Sequence, residues 1–237
     1  MDNLTALLTG KSRAHLVALP NPLSDKHYLQ AEVVEVFLAL QAAAKQAGFN
    51  LQPASTYRDF ERQLSIWNAK FEGQRKVHDD AGNPIDVSKL DEWQKIQAIL
   101  RWSAVPGMSR HHWGTEIDIF DPDLLPEGKT LQLEPWEYEE GGYFAPLAEW
   151  LHQHAAEFGF YFPFDGIHNT QVGFEPWHIS YQSISARYEK QFNAEMLQIA
   201  WQNEPLAGKD CLLAHLDEWF VSVSYTHLRA HETGAYL

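Results

Sequence analysis

The segment PGMSRHHWGTEIDIF, residues 106–120, sets polar side chains beside a short strand pattern. If Glu116–Phe120 forms a strand, its side chains alternate between the two faces of a sheet. Ile117 and Ile119 then face the core, and the two acids of the strand face the opposite side. This alternation predicts a strand that carries Asp118 at the edge of an apolar core.

The residues before this strand predict half of a metal site. Gly114 permits a sharp turn, because glycine has no Cβ atom to oppose an unusual backbone conformation. Such a turn can bring His111 or His112 back toward Asp118. One imidazole and one carboxylate are ligands that zinc commonly takes in proteins.

A second segment, FEPWHIS at residues 174–180, offers what the first one lacks. A catalytic zinc ion takes three protein ligands and keeps a fourth position open. His178 can be the third ligand, and Glu175 is placed to be a general base. Pro176 disfavours a helix here, so the pair differs from the helical His-Glu-x-x-His arrangement.

Three motifs in this order resemble those of the VanY-type zinc D-alanyl-D-alanine carboxypeptidases. Residues 109–118, SRHHWGTEID, resemble the family signature S-x-H-x-x-G-x-x-x-D. Residues 175–178, EPWH, resemble E-x-W-H, and residues 55–63, STYRDFERQ, resemble S-G-Y-R-x-x-x-x-Q. The resemblance spans roughly residues 51–181.

The resemblance implies a role for each motif residue. It implies His111, Asp118 and His178 as the ligands of one Zn²⁺ per chain, and Glu175 as the catalytic base that works on a metal-activated water. It implies Arg58 as the catalytic group that holds the scissile carbonyl oxygen while it becomes an oxyanion.

The same resemblance implies a set of substrate-binding residues. Ser109 and Gln63 are expected to seat the substrate's terminal carboxylate or backbone, and Ser55 and Tyr57 are expected to bind substrate beside them.

The chain departs from the family pattern at two positions. Thr56 replaces a glycine, and Glu116 replaces a small residue. Both are expected to line the site and to alter substrate preference, with Glu116 solvated. His112 falls at a variable position and is expected to be a supporting or surface histidine.

The resemblance implies an α+β fold in which a small antiparallel sheet carries the zinc site and helices flank it, as in the D-Ala-D-Ala carboxypeptidase and hedgehog-like group. Residues 1–222 are expected to form this single zinc peptidase domain. Ser88 and Asp91 predict a capping box for one helix. Apolar spacing and stop signals predict helices over residues 28–47, 58–73, 88–103, 146–158, 184–203 and 209–220, and strands over 49–57, 116–120 and 173–181.

Residues 223–237 are expected to be a non-native tail. The stretch VSYTHLRAHET, residues 223–233, resembles a translated sequencing-library adapter. His227 and His231 are therefore left out of the predicted site.

Composition limits the partners of the chain. A formal charge of −14 disfavours nucleic acid, which needs a basic surface. No apolar run reaches the ~18 residues of a membrane span. No signal-peptide pattern is visible, so a cytoplasmic location is expected, with a periplasmic or cell-wall location if the N-terminus is incomplete.

The expected function is zinc-dependent release of C-terminal D-alanine from peptidoglycan-derived peptides. One alternative is an endopeptidase that cuts within the peptide stem. Another is a zinc-binding interaction module that has lost catalysis, although Glu175 and Arg58 are both present here. The sequence leaves open D,D or L,D specificity, the size of the substrate and the oligomeric state.

Overall fold

The computed structural model describes residues 1–21, 24–167, 172–217 and 219–220. The predicted tail lies outside these residues. The elements follow one another as α1 (Asn3–Leu8), β1 (Val17–Ala18), β2 (Tyr28–Leu29), α2 (Ala31–Gln46), β3 (Gln52–Ser55), α3 (Phe60–Phe71), β4 (Val77–His78), β5 (Pro84–Ile85), α4 (Glu92–Leu100), β6 (Glu116–Phe120), α5 (Pro135–Tyr138), α6 (Ala145–His154), β7 (Phe160–Tyr161), β8 (His178–Tyr181), α7 (Gln182–Gln191), α8 (Ala194–Trp201) and α9 (Lys209–Ala214). Short 3₁₀ turns lie at Val87–Lys89, Arg110–Trp113 and Ala155–Phe158.

The central sheet is antiparallel and has four strands in the order β3-β6-β8-β7. Asp118 of β6 pairs with His178 of β8 on one side and with Ser55 of β3 on the other. The predicted α+β fold with a small antiparallel sheet and flanking helices is therefore confirmed.

One face of this sheet packs into an apolar core. Ile117, Ile119 and Ile179 are all 0% exposed, and they share a cluster with Phe37 of α2 and Leu147 of α6. The predicted alternation of β6 is thus correct for its isoleucines. Burial of each such side chain stabilises the fold by about 1.5–3 kcal/mol.

A second apolar cluster lies on the other side of the site. It gathers side chains from α1, α3, α4, α8 and α9 around Trp67 and Trp201, which are almost completely buried. The segment from Arg110 to Trp113 joins the two clusters, because Trp113 packs in this second cluster while β6 begins just after Gly114. Gly114 adopts a left-handed conformation with φ of 69°, as the predicted turn requires.

Several predicted element bounds were wrong, each for a local reason. The helix predicted from residue 28 begins at Ala31, because Tyr28–Leu29 pairs with β1. The capping box of α4 uses Asp91 and Gln94, since Ser88 lies in a separate turn capped by Asp86.

Two other predicted segments are divided or shortened. The helix predicted over residues 184–203 is two helices, because Asn193 caps α8 with its own side chain. The helix predicted over residues 146–158 becomes a 3₁₀ turn after His154.

Among the helices that the structure describes, none is both long and apolar enough to cross a bilayer.

Candidate active site

Three buried side chains from separate segments converge on one point. His111 comes from the turn before β6, Asp118 from β6 and His178 from β8, and one potential ligand atom of each lies within 4.8 Å of the others. Asp118 Oδ2 is 3.3 Å from His111 Nε2, and Asp118 Oδ1 is 3.1 Å from His178 Nδ1. The sheet register creates this cluster, because it sets Asp118 and His178 directly opposite each other.

Hydrogen bonds determine which nitrogen of each histidine faces the cluster. His111 Nδ1 lies 2.7 Å from the backbone carbonyl of Thr56, which can only accept, so Nδ1 carries the proton and Nε2 is left as a ligand. His178 Nε2 lies 2.8 Å from Glu116 Oε2 and donates to this carboxylate. His178 Nδ1 therefore faces Asp118.

The cluster fits a cation. Asp118 Oδ1 and His178 Nδ1 are buried, and neither makes a hydrogen bond within the residues that the structure describes. Burial alone would raise the pKa of Asp118, but His111 and His178 hold it well below its usual range. Two imidazoles and one carboxylate form a donor set that zinc uses in catalytic sites, where a fourth position stays open.

Glu175 lies beside the cluster. Its Oε2 atom is 3.4 Å from His178 Nδ1, and its side chain is 15% exposed. The backbone of Glu175 donates to Phe164 and accepts from His178, which forms a turn rather than a helix, as Pro176 predicts. The carboxylate can therefore reach both the cluster and the adjoining cavity.

Arg58 lies two residues before the start of α3, and its side chain lines the same cavity. Its guanidinium donates to Gln63 Oε1 at 2.9 Å, and Gln63 Nε2 donates to the Ala104 carbonyl at 2.7 Å. Burial lowers the pKa of Arg58 while the Asp118 carboxylate raises it. Gln63 is 1% exposed and does not line the cavity, and its side chain holds the Arg58 guanidinium.

The other predicted substrate-binding residues are placed differently from one another. Ser109 lines the cavity. Ser55 and Tyr57 do not line it, and the Tyr57 hydroxyl instead donates to the Gly10 carbonyl at 3.2 Å. The structure therefore brings Ser109 to the cavity and leaves Ser55 and Tyr57 outside it.

Both departures from the family pattern lie behind the ligands, and the expectation that they line the cavity was wrong. Thr56 is 2% exposed and supplies the carbonyl that accepts from His111. Glu116 is 0% exposed, so the expectation that it is solvated was also wrong. The reason is that β6 is an inner strand, and buried side chains, among them Arg110 and His178, contact Glu116.

Glu116 belongs to a buried network that sequence reasoning missed. It accepts hydrogen bonds from Ser180 Oγ at 2.8 Å and Thr115 Oγ1 at 2.9 Å, and it pairs with Arg110 at 3.3 Å. Arg110 also contacts Glu189. Burial would raise the pKa of Glu116, but Arg110 and His178 lower it to about 2. The sequence did carry one signal for this network, because Glu116 and Asp118 lie on the same face of β6.

His112 is another supporting residue. It is 0% exposed, its Nε2 accepts from the Gly107 amide at 3.1 Å, and its Nδ1 donates to the Arg58 carbonyl at 2.6 Å. Burial lowers its pKa to about 3, so the ring stays neutral. His112 thus holds the backbone of Arg58. Of the two positions expected for it, supporting or surface, it occupies the supporting one.

The cavity next to the cluster has a volume of about 390 Å³, within the ~300–1,000 Å³ of small-molecule sites. The cluster and Glu175 lie on one wall, and two basic residues that the sequence did not single out, Lys70 and Arg75, also line it. The arrangement offers a metal position, a carboxylate base and an arginine around one space large enough for a short peptide.

Comparisons with known proteins show the family and the fold of this chain. The VanY family model, described as D-alanyl-D-alanine carboxypeptidase, matches residues 26–184. An uncharacterized protein of Haemophilus influenzae is 64% identical over 99 residues, which cover 42% of this chain and 68% of that protein. A D-alanyl-D-alanine carboxypeptidase of Enterococcus faecalis is 26% identical over 167 residues, which cover 69% of this chain and 52% of that protein. This chain therefore spans about half the length of the Enterococcus protein.

One solved structure shows the same fold. VanYB in complex with D-Alanine-D-Alanine is 22% identical and has a TM-score of 0.53, and the match covers 86% of this chain and 90% of that one.

Proposed function

Because this chain belongs to the VanY family of D-alanyl-D-alanine carboxypeptidases, we propose that it is a zinc-dependent carboxypeptidase that releases C-terminal D-alanine from peptidoglycan-derived peptides. One observation carries the proposal. The buried atoms of Asp118 and His178 that lack hydrogen bonds face each other beside His111, in a cavity that Glu175 and Arg58 also line.

The proposed ligands of one Zn²⁺ per chain are His111 Nε2, an Asp118 carboxylate oxygen and His178 Nδ1. When bound, Zn²⁺ supplies the Lewis acidity that activates a water molecule and the scissile carbonyl. With a single carboxylate among the three ligands, the protein adds one negative charge to the ion and leaves it electrophilic.

Glu175 is the proposed general base. Its carboxylate lies next to the ligand cluster and is partly exposed to the cavity, so it can take a proton from the attacking water. The same carboxyl group can then give the proton to the scissile nitrogen, which becomes the amino group of the released D-alanine. This transfer moves one proton of the water to the leaving nitrogen, and the other proton stays with the carboxyl group of the shortened peptide.

Arg58 is the proposed electrophilic group. Its guanidinium is held by Gln63 and its backbone carbonyl by His112, so it is oriented before a substrate arrives. Negative charge that develops on the scissile carbonyl oxygen would find this donor already in place, and such preorganised donors contribute about 3–4 kcal/mol.

The test is D-alanine release from a muropeptide pentapeptide, a tetrapeptide and D-Ala-D-Ala. Zinc-loaded wild type is compared with Glu175→Ala at equal zinc content, and Glu149→Ala removes an exposed glutamate on α6 as the matched control. We expect release by wild type and by the control, and a loss of several orders of magnitude in Glu175→Ala. The preferred peptide then identifies the specificity.

Two results would contradict the proposal. Full zinc occupancy without release from any of the three peptides would leave a zinc-binding module or a stem endopeptidase. A wild-type protein that binds no stoichiometric zinc would remove the metal site itself.

A further inference from the structure

The cavity has a basic wall that the proposed chemistry does not use. Lys70 lies in the last turn of α3, and its Nζ donates to Ser103 Oγ at 2.6 Å. Arg75 follows the Gly73 turn and lines the same cavity. Within the residues that the structure describes, neither Lys70 nor Arg75 forms an ion pair with a carboxylate.

The charged ammonium group of Lys70 is destabilised in this partly buried position unless an anion lies beside it. Burial, together with the neighbouring Arg58 and Arg75, lowers the pKa of Lys70 to about 8, although Glu175 acts in the opposite direction. The whole chain carries a charge of −14, so three basic side chains (Arg58, Lys70 and Arg75) around one cavity are unlike its average surface. A bound carboxylate would offset the cost of burying this charge.

Of the donors already assigned to the substrate, only the neutral Ser109 hydroxyl remains for a carboxylate. Arg58 is used at the scissile carbonyl, and Gln63 faces Arg58 and a backbone carbonyl instead of the cavity. Arg58 precedes α3, whereas Lys70 lies near its end, and the twelve residues of α3 extend about 18 Å. The two side chains therefore enter the cavity from opposite ends of α3 and can hold different groups of one substrate.

We propose that Lys70, together with Ser103 and Arg75, forms a carboxylate-binding subsite that selects the peptide substrate. This inference rests on the proposed function, because it assigns a specificity to the same cavity. The carboxylate can come from two sources: the C-terminus of the residue that is released, or an acidic side chain on the residue before the D-alanyl-D-alanine unit.

The experiment uses two isosteric peptides, acetyl-glutamyl-D-alanyl-D-alanine and acetyl-glutaminyl-D-alanyl-D-alanine. Lys70→Met removes the charge, Lys70→Arg keeps it, and Arg62→Met removes a charge from the exposed side of the same helix as the matched control. KM and kcat are measured for zinc-loaded full-length proteins, and thermal unfolding checks that each variant is folded.

We expect Lys70→Met to raise KM about tenfold or more with little change in kcat, since a hydrogen bond to a charged group is lost. An equal increase for both peptides identifies the terminal carboxylate, and an increase for the glutamyl peptide alone identifies the side chain. Lys70→Arg should recover most of the affinity, and Arg62→Met should resemble wild type.

A binding measurement separates this inference from the proposed function. The affinity of both peptides for zinc-loaded Glu175→Gln protein, with and without Lys70→Met, is measured by calorimetry. If wild type releases D-alanine but Lys70→Met changes neither KM nor affinity, the subsite is wrong and the function stands. If wild type releases nothing but binding depends on Lys70, the function is wrong and the subsite stands.

Two further outcomes overturn the subsite. A fall in kcat alone would mean that Lys70 acts on Glu175, and an absence of binding to both peptides would leave no ligand for the basic wall.

Discussion

His178 and Glu116 meet diagonally across the pair of strands β6 and β8, where His178 Nε2 donates to Glu116 Oε2 at 2.8 Å. This hydrogen bond determines which ring nitrogen faces Asp118 and Glu175. Glu116 is held in turn by Ser180, Thr115 and Arg110, so the orientation of the ligand is fixed by buried groups. A carboxylate that supports a metal-binding histidine also raises the basicity of that ligand.

Glu116→Gln should weaken zinc binding. The amide keeps the shape of the side chain but removes its charge, and outer carboxylates of this kind contribute about 10–100-fold in metal affinity. Competition with a chelator of known affinity measures the change. Glu149→Gln, on the exposed side of α6, is the matched control. Equal zinc affinity in Glu116→Gln and wild type would show that the contact does not support the ligand.

Arg58→Ala should lower kcat by about 10²–10³, because a preorganised donor to the developing oxyanion is lost. Zinc content should stay unchanged, since Arg58 is not a ligand. Gln63→Ala should produce a smaller loss, because it disturbs only the orientation of Arg58. D-alanine release under saturating substrate measures both variants, and an unchanged kcat in Arg58→Ala would contradict the proposed role.

Gly10→Ala should destabilise the protein more than Gly82→Ala. Both glycines have similar φ, 76° and 78°, so both substitutions bring the left-handed strain of about 1–2 kcal/mol. A Cβ atom on Gly10 would lie 2.3 Å from the His112 ring, whereas Gly82 has no atom within 4 Å.

His112 cannot easily move, because both of its ring nitrogens are hydrogen-bonded and the ring is fully buried. The extra loss for Gly10→Ala should be about 1–3 kcal/mol, as for other overpacked interiors. Urea unfolding of the two variants measures the difference. Equal losses would mean that the segment around Gly10 shifts without disturbing His112.

Lys70 should make stability depend on pH in the alkaline range. Its pKa of about 8 in the folded chain lies below the usual 10.5. Between these values the unfolded chain holds a proton that the folded chain has released, so the free energy of unfolding increases with pH. The free energy of unfolding increases by at most about 1.4 kcal/mol per pH unit through this group.

The comparison is between metal-free wild type and metal-free Lys70→Met, unfolded by urea at several pH values from 7.5 to 10.5. Wild type should gain stability relative to the variant as pH rises through this window. Groups that titrate in both proteins cancel in the difference. Parallel curves would show that the Lys70 ammonium group is solvated as in the unfolded chain.

The sequence predicted the parts of the site that depend on local spacing. The alternation in β6 placed its two isoleucines in the core, and Gly114 indicated the turn that returns His111 to Asp118. Pro176 indicated a non-helical presentation of the Glu175 and His178 pair, which the structure shows as a turn. The three motifs were sufficient to identify the family and its α+β fold.

What the sequence could not determine depends on contacts between distant segments. Glu116 was expected in solvent because it lies on the polar face of β6, but β6 is an inner strand and that face is also covered. Gln63 and Tyr57 were expected at the substrate because they belong to the arginine motif, yet each side chain turns to a different neighbour.

Lys70 and Arg75 are a further example of residues whose position the sequence could not predict. Neither belongs to a motif, and only the packing of α3 against the segment that carries Ser103 brings them into the cavity of the ligands. By itself the sequence determined the family, the alternation of β6 and which side chains have the chemistry of metal ligands or of a base, because these properties follow from side-chain chemistry and local spacing. The tertiary structure alone decided which polar groups lie behind the His111, Asp118 and His178 cluster and which line the cavity, because strand register and burial join residues far apart in the chain.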